Sequence, residues 1–151
     1  MKGIPSLELA AAMKNVYAIA CGIAEGIGFG MNTRTHVIVT AIGEFYELCR
    51  GLGYEIDTKA MSGIIGDFML TGGSITSRNF QFGTLLTKYP VEKALQLVGA
   101  TVEGYHTVTS LSYLVEKAQV TIPLGMLVVD IIEGNTSQDL KEAFLQVAKH
   151  M

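Results

Sequence analysis

Charge is scarce in this chain: Asp, Glu, Lys and Arg make up only 17% of its 151 residues. The eleven basic residues are scattered along it, and the net charge is −3 with a pI near 5.6. That excludes a broadly basic face for nucleic acid, so any anion must be caught locally. Cysteine is equally sparse. Cys21 and Cys49 sit among apolar neighbours on expected helices, which reads as two free, buried thiols and excludes a disulfide scaffold. His36, His106 and His150 are far apart and have no partner at metal-ligand spacing, so no metal site is expected. Long hydrophobic runs are missing too. Mean hydropathy is +0.37, yet the longest stretch without a charged residue is twelve, short of the roughly 18–20 that span a bilayer. Buried helices are expected rather than a membrane span. In the N-terminal MKGIPSLELAAAMKN, Glu8 and Lys14 interrupt the place where the apolar core of a signal peptide would lie, so the chain is expected to be cytoplasmic.

What the chain does hold is apolar surface. With 49% hydrophobic residues it can build one compact domain over 1–151, and it is too short for a second full one. Ser6 after Pro5 reads as the cap of a helix that runs through the Ala-rich segment toward Phe29 and stops among Gly26, Gly28 and Gly30. Asn32 or Thr33 then caps a second helix, in which Val37, Ile38, Ala41, Ile42, Phe45, Leu48 and Cys49 recur at helical spacing until Gly51 and Gly53. A short helical turn over 57–64 leads into GIIGDFMLTGGSITSRNFQFG. Its Gly, Ser and Thr content marks a long irregular connection. Further helices are expected over 91–98, 104–117, 122–133 and 137–150, with Pro123 in a first turn. The fold class is therefore all-α, two long helices packed by several shorter ones.

The glycine-rich GIAEGIGFGMNT does not form a dinucleotide fingerprint. Counted from Gly26 the third glycine position is Met31, and from Gly28 it is Thr33; the run also ends a helix instead of joining a strand to one. No nucleotide-binding domain is expected within the chain. More telling are polar groups in apolar company: Lys14-Asn15 on the first helix, Asp67 and Thr71 in the glycine-rich connection, and Ser77-Arg78-Asn79 where the next helix should start. A lysine beside a carboxylate such as Asp67 can hold an exchangeable proton, which suits a general acid or base. Arg78 offers forked donors matched to a phosphate, and a helix start after Ser77 would aim free backbone N–H groups at the same anion. The competing reading is bland: Arg78 salt-bridges a surface carboxylate, Ser77 merely caps, and Lys14 lays its stem along the helix with its ammonium in water.

AAAMKNVYAIACGIAEGIGFGMNTRT, GIIGDFMLTGGSITSRN and VEGYHTVTSLSYLVEKAQVTIP, in that order, resemble the C-terminal domain of bacterial NAD(P)-dependent glycerol-3-phosphate dehydrogenases. The likeness rests on that family's K-N, G-D-x-x-x-T, S-R-N and V-E-G. It implies a multi-helix substrate domain like that of 6-phosphogluconate dehydrogenase-like enzymes. NAD(H) or NADP(H) would be bound mainly by a Rossmann domain, an N-terminal half expected to be absent here. The implied reaction is reduction of dihydroxyacetone phosphate to sn-glycerol 3-phosphate for phospholipid synthesis. The resemblance makes Lys14 the catalytic general acid/base. It assigns Asn15, Asp67, Thr71, Ser77, Arg78 and Asn79 to the substrate; Arg78 would also reach the cofactor, and Glu103 lies on the cofactor side. The chain departs from the family at Gly72, where a cysteine is usual, and in Val39-Thr40-Ala41-Ile42, which lacks an arginine.

Alone, such a half should not catalyse, because cofactor and lysine must meet in one geometry. An apolar cleft face would favour self-association, and a homodimer is expected. The alternatives are a non-catalytic helical dimerisation or interaction module derived from such an enzyme, and a sister dehydrogenase with another substrate.

Overall fold

Eight helices, and no strand, make up the described residues of the computed structural model, 4–136 and 139–150. In chain order they are α1 (Ile4–Ile27), α2 (Met31–Leu52), α3 (Thr58–Gly73), α4 (Arg78–Leu86), α5 (Val91–Val98), α6 (Glu103–Ala118), α7 (Pro123–Glu133) and α8 (Leu140–Ala148). The arrangement follows from α1. Met13, Val16, Tyr17, Ala18, Ile19, Ala20, Cys21, Ile23 and Ala24 are all buried, so apolar side chains surround this helix. A helix apolar all round must sit in the centre, and α2, α3, α4, α6 and α7 pack about it. By length and composition Pro5–Ile27 could cross a membrane, but 67% of its most apolar window is buried inside the fold, the pattern of a core helix. Lys14 and Asn15, both part-exposed, directly precede the fully buried run 16–24.

The most intimate packing, α1 on α4, depends on glycine. A β-carbon at Gly22 would lie 2.0 Å from the Phe80 carbonyl oxygen, and one at Gly83 would lie 2.1 Å from that of Ile19. The two backbones touch, which no larger residue permits. Cys21 and Cys49 are both free and buried.

Helix starts differ in detail from the sequence reading. Ser6 lies inside the first turn of α1 instead of capping it; Pro5 fits there because the first turn needs no N–H from it. Gly30 caps α2 in place of Asn32 or Thr33. α6 starts at Glu103, and α8 starts at Leu140, where the Asp139 carboxylate accepts the N–H groups of Lys141 and Glu142. The expected start at Ser137 lies outside the described residues.

The larger correction concerns 63–83. In place of a long irregular connection, α3 continues to Gly73 and α4 begins at Arg78, leaving only 74–77 between them. Asp57 caps α3 by accepting the Ala60 N–H at 2.6 Å, and Ile64, Phe68 and Gly72 form a buried stripe at four-residue spacing. Glycines in a helix cost about 1 kcal/mol each relative to alanine. Burial of the Phe68 ring against Tyr17 and Phe45, at centroid distances of 6.1 and 5.9 Å, outweighs that propensity. At Gly72 a β-carbon would meet Ile38 at 3.0 Å and Cys21 Sγ at 3.3 Å, so the space a side chain would take there is already filled.

Candidate active site

Lys14 and Asn15 are consecutive on α1, so their side chains leave the helix about 100° apart and reach different neighbours. Lys14 Nζ lies 2.9 Å from Asp67 Oδ2, an ion pair from α1 to α3 in which the lysine side chain is 26% exposed and the aspartate 52%. Asn15 turns toward α4 and α6. Its Nδ2 donates to Glu103 Oε2 at 3.0 Å, and its Oδ1 accepts from Asn79 Nδ2 at 3.2 Å. Asn79 Oδ1 in turn accepts the Gly104 backbone N–H at 2.9 Å. Each amide orientation follows from the next: the Asn79 oxygen must face an N–H, so its nitrogen faces the Asn15 oxygen, and the Asn15 nitrogen faces a carboxylate. Gly104 itself is required for this closeness, since a β-carbon there would fall 2.8 Å from the Asn15 carbonyl oxygen and 2.9 Å from Asn79 Oδ1.

Ser77 caps α4, its hydroxyl oxygen accepting the Phe80 N–H at 3.5 Å. Arg78, the first residue of α4, is exposed and makes no ion pair or hydrogen bond among the described residues. The bland reading of Arg78 as a surface salt bridge therefore does not describe this structure. A cavity of about 260 Å³ opens beside it, lined by Thr76, Ser77, Arg78, Asn79, Thr101 and Glu103. An anion there would meet the Arg78 guanidinium and the positive start of α4, while the Glu103 carboxylate at the start of α6 puts one negative charge in the same wall. Thr71 lies one turn beyond Asp67 on α3 and is half-buried. It joins neither the ion pair nor the amide network. Between α1 and α3 a wider groove of about 720 Å³ runs past Asp67, with Ala10, Ala11 and Gly63 among its walls.

One buried carboxylate escaped the sequence reading. Glu44 of α2 is 7% exposed and accepts three hydrogen bonds: from the Tyr17 hydroxyl at 2.5 Å, from the Leu124 N–H at 2.7 Å and from the Gly125 N–H at 2.9 Å. Burial raises its pKa, and those three donors oppose the shift. Its signal was an acidic residue inside the apolar period of α2, between Ala41 and Leu48.

The sequence pattern of the NAD-dependent glycerol-3-phosphate dehydrogenase C-terminus matches residues 4–143. The chain belongs to this family. The match includes every candidate residue from Lys14 to Glu103. The glycerol-3-phosphate dehydrogenase [NAD(P)+] of Synechococcus sp. (strain RCC307) is 37% identical over 131 residues, covering 86% of this chain and 44% of the relative. That of Bacillus cereus (strain AH187) is 33% identical over 150 residues, covering 97% and 44%. The crystal structure of glycerol-3-phosphate dehydrogenase from Coxiella burnetii shares the fold with a TM-score of 0.88 at 27% identity, over 98% of this chain and 45% of that one. The chain thus spans less than half the length of the dehydrogenases it matches, and it corresponds to their C-terminal, all-α part.

Proposed function

We propose that this chain is the substrate half of an NAD(P)-dependent glycerol-3-phosphate dehydrogenase, with Lys14 as the proton donor when dihydroxyacetone phosphate is reduced. The observation that carries the reading is the Lys14–Asp67 pair at 2.9 Å, set beside an amide network and an uncommitted arginine. Reduction of a ketone adds a hydride to carbon and a proton to oxygen. NAD(P)H, when bound, would supply the hydride with its electron pair. The Lys14 ammonium gives the proton to the C2 oxygen, and Asp67 holds that ammonium in place. In the reverse direction the neutral amine accepts the hydroxyl proton.

Arg78 and the start of α4 bind the phosphate, while Asn15 and Asn79, locked by Glu103 and Gly104, orient the polar oxygens of the substrate. Ser77 completes the α4 end of this pocket, and Thr71 extends the Asp67 face of α3. The fit to a dinucleotide is partial. A 260 Å³ cavity lies below the roughly 300–1,000 Å³ of pockets for drug-sized ligands, so it suits a phosphate ester or one edge of the cofactor. Arg78 and Glu103 are the groups on this chain that would touch NAD(P), most of which would be held by an N-terminal Rossmann domain. The reading includes a homodimer and a cytoplasmic setting.

The test is NADH oxidation with dihydroxyacetone phosphate, comparing the chain alone, the chain joined to the nucleotide-binding half of a relative, and the joined form carrying Lys14→Ala. Activity is expected only in the joined wild type, with a loss of about 10²–10⁴-fold in the variant, the usual contribution of a positioned acid or base. A joined Lys14→Ala protein as active as wild type would overturn the assignment of the proton. A joined, folded protein with no activity on this substrate would overturn the dehydrogenase reading, leaving an interaction module or a sister enzyme.

A further inference from the structure

Lys14 and Asp67 are long or exposed side chains at the rim of the domain, and an ion pair of that kind has little geometric control of its own. Something beneath it must fix where α3 stands against α1. Tyr17 follows Lys14 by three residues, which places the two on one side of α1, and Phe68 directly follows Asp67 on α3. The Tyr17 and Phe68 rings meet at 6.1 Å, so the α1–α3 contact has two successive rungs: the outer Lys14–Asp67 pair and an inner pair of buried rings.

The inner rung is fastened at its far end. The Tyr17 hydroxyl donates to Glu44, and the Glu44 carboxylate is itself held by the Leu124 and Gly125 N–H groups at the start of α7. A carboxylate is favoured at that helix end. Gly125 leaves it room, since a β-carbon there would lie 3.1 Å from the Tyr17 hydroxyl oxygen and 3.4 Å from Glu44 Oε2. Phe45, next to Glu44, closes the other side by packing on Phe68 at 5.9 Å. Helices α1, α2 and α7 thus fix one ring, and that ring, with Phe45, fixes Phe68.

We propose that Tyr17 and Glu44 are positioning residues for the proton donor: through Phe68 they hold α3 in the register that puts Asp67 opposite Lys14. The inference rests on Lys14 being the donor in the proposed reaction, but its test needs neither cofactor nor substrate. Failure of this inference and failure of the dehydrogenase reading therefore remain distinguishable.

The experiment labels the folded chain with an amine-specific reagent well below its unfolding midpoint and reads Lys14 by mass spectrometry, with exposed Lys88 as internal reference. Asp67→Asn defines the unpaired lysine. Phe144→Leu, a buried α8 ring that packs against Phe29 and makes no ring contact with Tyr17, Phe45 or Phe68, is a destabilised control. Tyr17→Phe should raise Lys14 labelling by about two- to fivefold, the range set by loss of a partly exposed ion pair, to the level of Asp67→Asn. Phe144→Leu should leave it at the wild-type level; a rise there equal to that in Tyr17→Phe would mean that loss of stability alone exposes Lys14, and would overturn the proposal. Phe68→Leu leaves every buried hydrogen bond in place and should give the same rise, so it carries the test if Tyr17→Phe does not fold. Wild-type Lys14 labelling in either folded variant would overturn the proposal.

Discussion

At the scale of single residues, neighbours in sequence have opposite duties. Asn79 is 8% exposed and holds the Gly104 N–H, so Asn79→Ala leaves a buried donor without its acceptor. That costs about 1–3 kcal/mol. Arg78, one position earlier, touches no other group by ion pair or hydrogen bond among the described residues, and surface changes of this kind stay within about 0.5 kcal/mol. Urea unfolding should therefore separate them, with a clear fall in midpoint for Asn79→Ala and almost none for Arg78→Ala. In the joined enzyme Arg78→Ala should instead raise the substrate concentration needed for half-maximal rate. Equal loss of stability in both variants would contradict the division of labour.

At the scale of helices, glycine has two unrelated meanings in this chain. Gly83 is where α4 lies on the α1 backbone, and a methyl group there would have to displace a carbonyl 2.1 Å away. Gly63 in α3 faces open space, where a β-carbon would meet nothing within 4 Å. Gly83→Ala should destabilise by about 1–3 kcal/mol or more, as overpacking does. Gly63→Ala should stabilise by about 0.4–1 kcal/mol, because it restricts the unfolded chain and improves helix propensity. Thermal unfolding followed by circular dichroism reads both, and the opposite signs are the prediction. The irregular connection expected over 63–83 arose from treating these glycines alike.

At the scale of the whole molecule, the buried acids of the core set its response to alkali. Burial pushes the Cys21 thiol up to about 12 and the Cys49 thiol to about 11, from 9.0. The Tyr17 phenol is raised well above 10.0, first by burial and then by the charge and hydrogen bond of Glu44. All three keep their protons in the folded chain at a pH where the unfolded chain releases them. The unfolded state then binds fewer protons, so stability falls as pH rises. The loss should begin near pH 9, where unfolded thiols ionise, and steepen toward roughly 1.4 kcal/mol per pH unit for each group. Urea midpoints measured from neutral pH to about pH 10.5 should fall accordingly, and Cys21→Ala should flatten the fall. A flat profile above pH 9 would show that these groups are reached by water.

The all-helical class, the two long leading helices and both buried thiols were legible in the sequence, because apolar period and glycine stops are local signals. The K-N, G-D-x-x-x-T, S-R-N and V-E-G motifs were enough to name the family. Tertiary structure alone decided that α3 is a helix through Gly73, since burial of Ile64 and Phe68 against distant segments overrode local propensity. It alone decided which candidates meet: Lys14 with Asp67, and Asn15 with Asn79 and Glu103, across separations of 53, 64 and 88 residues. Glu44 shows why. Its place in the apolar period of α2 puts it on the buried face, and only the arrival of Tyr17 and the start of α7 supplies the donors that allow a carboxylate there.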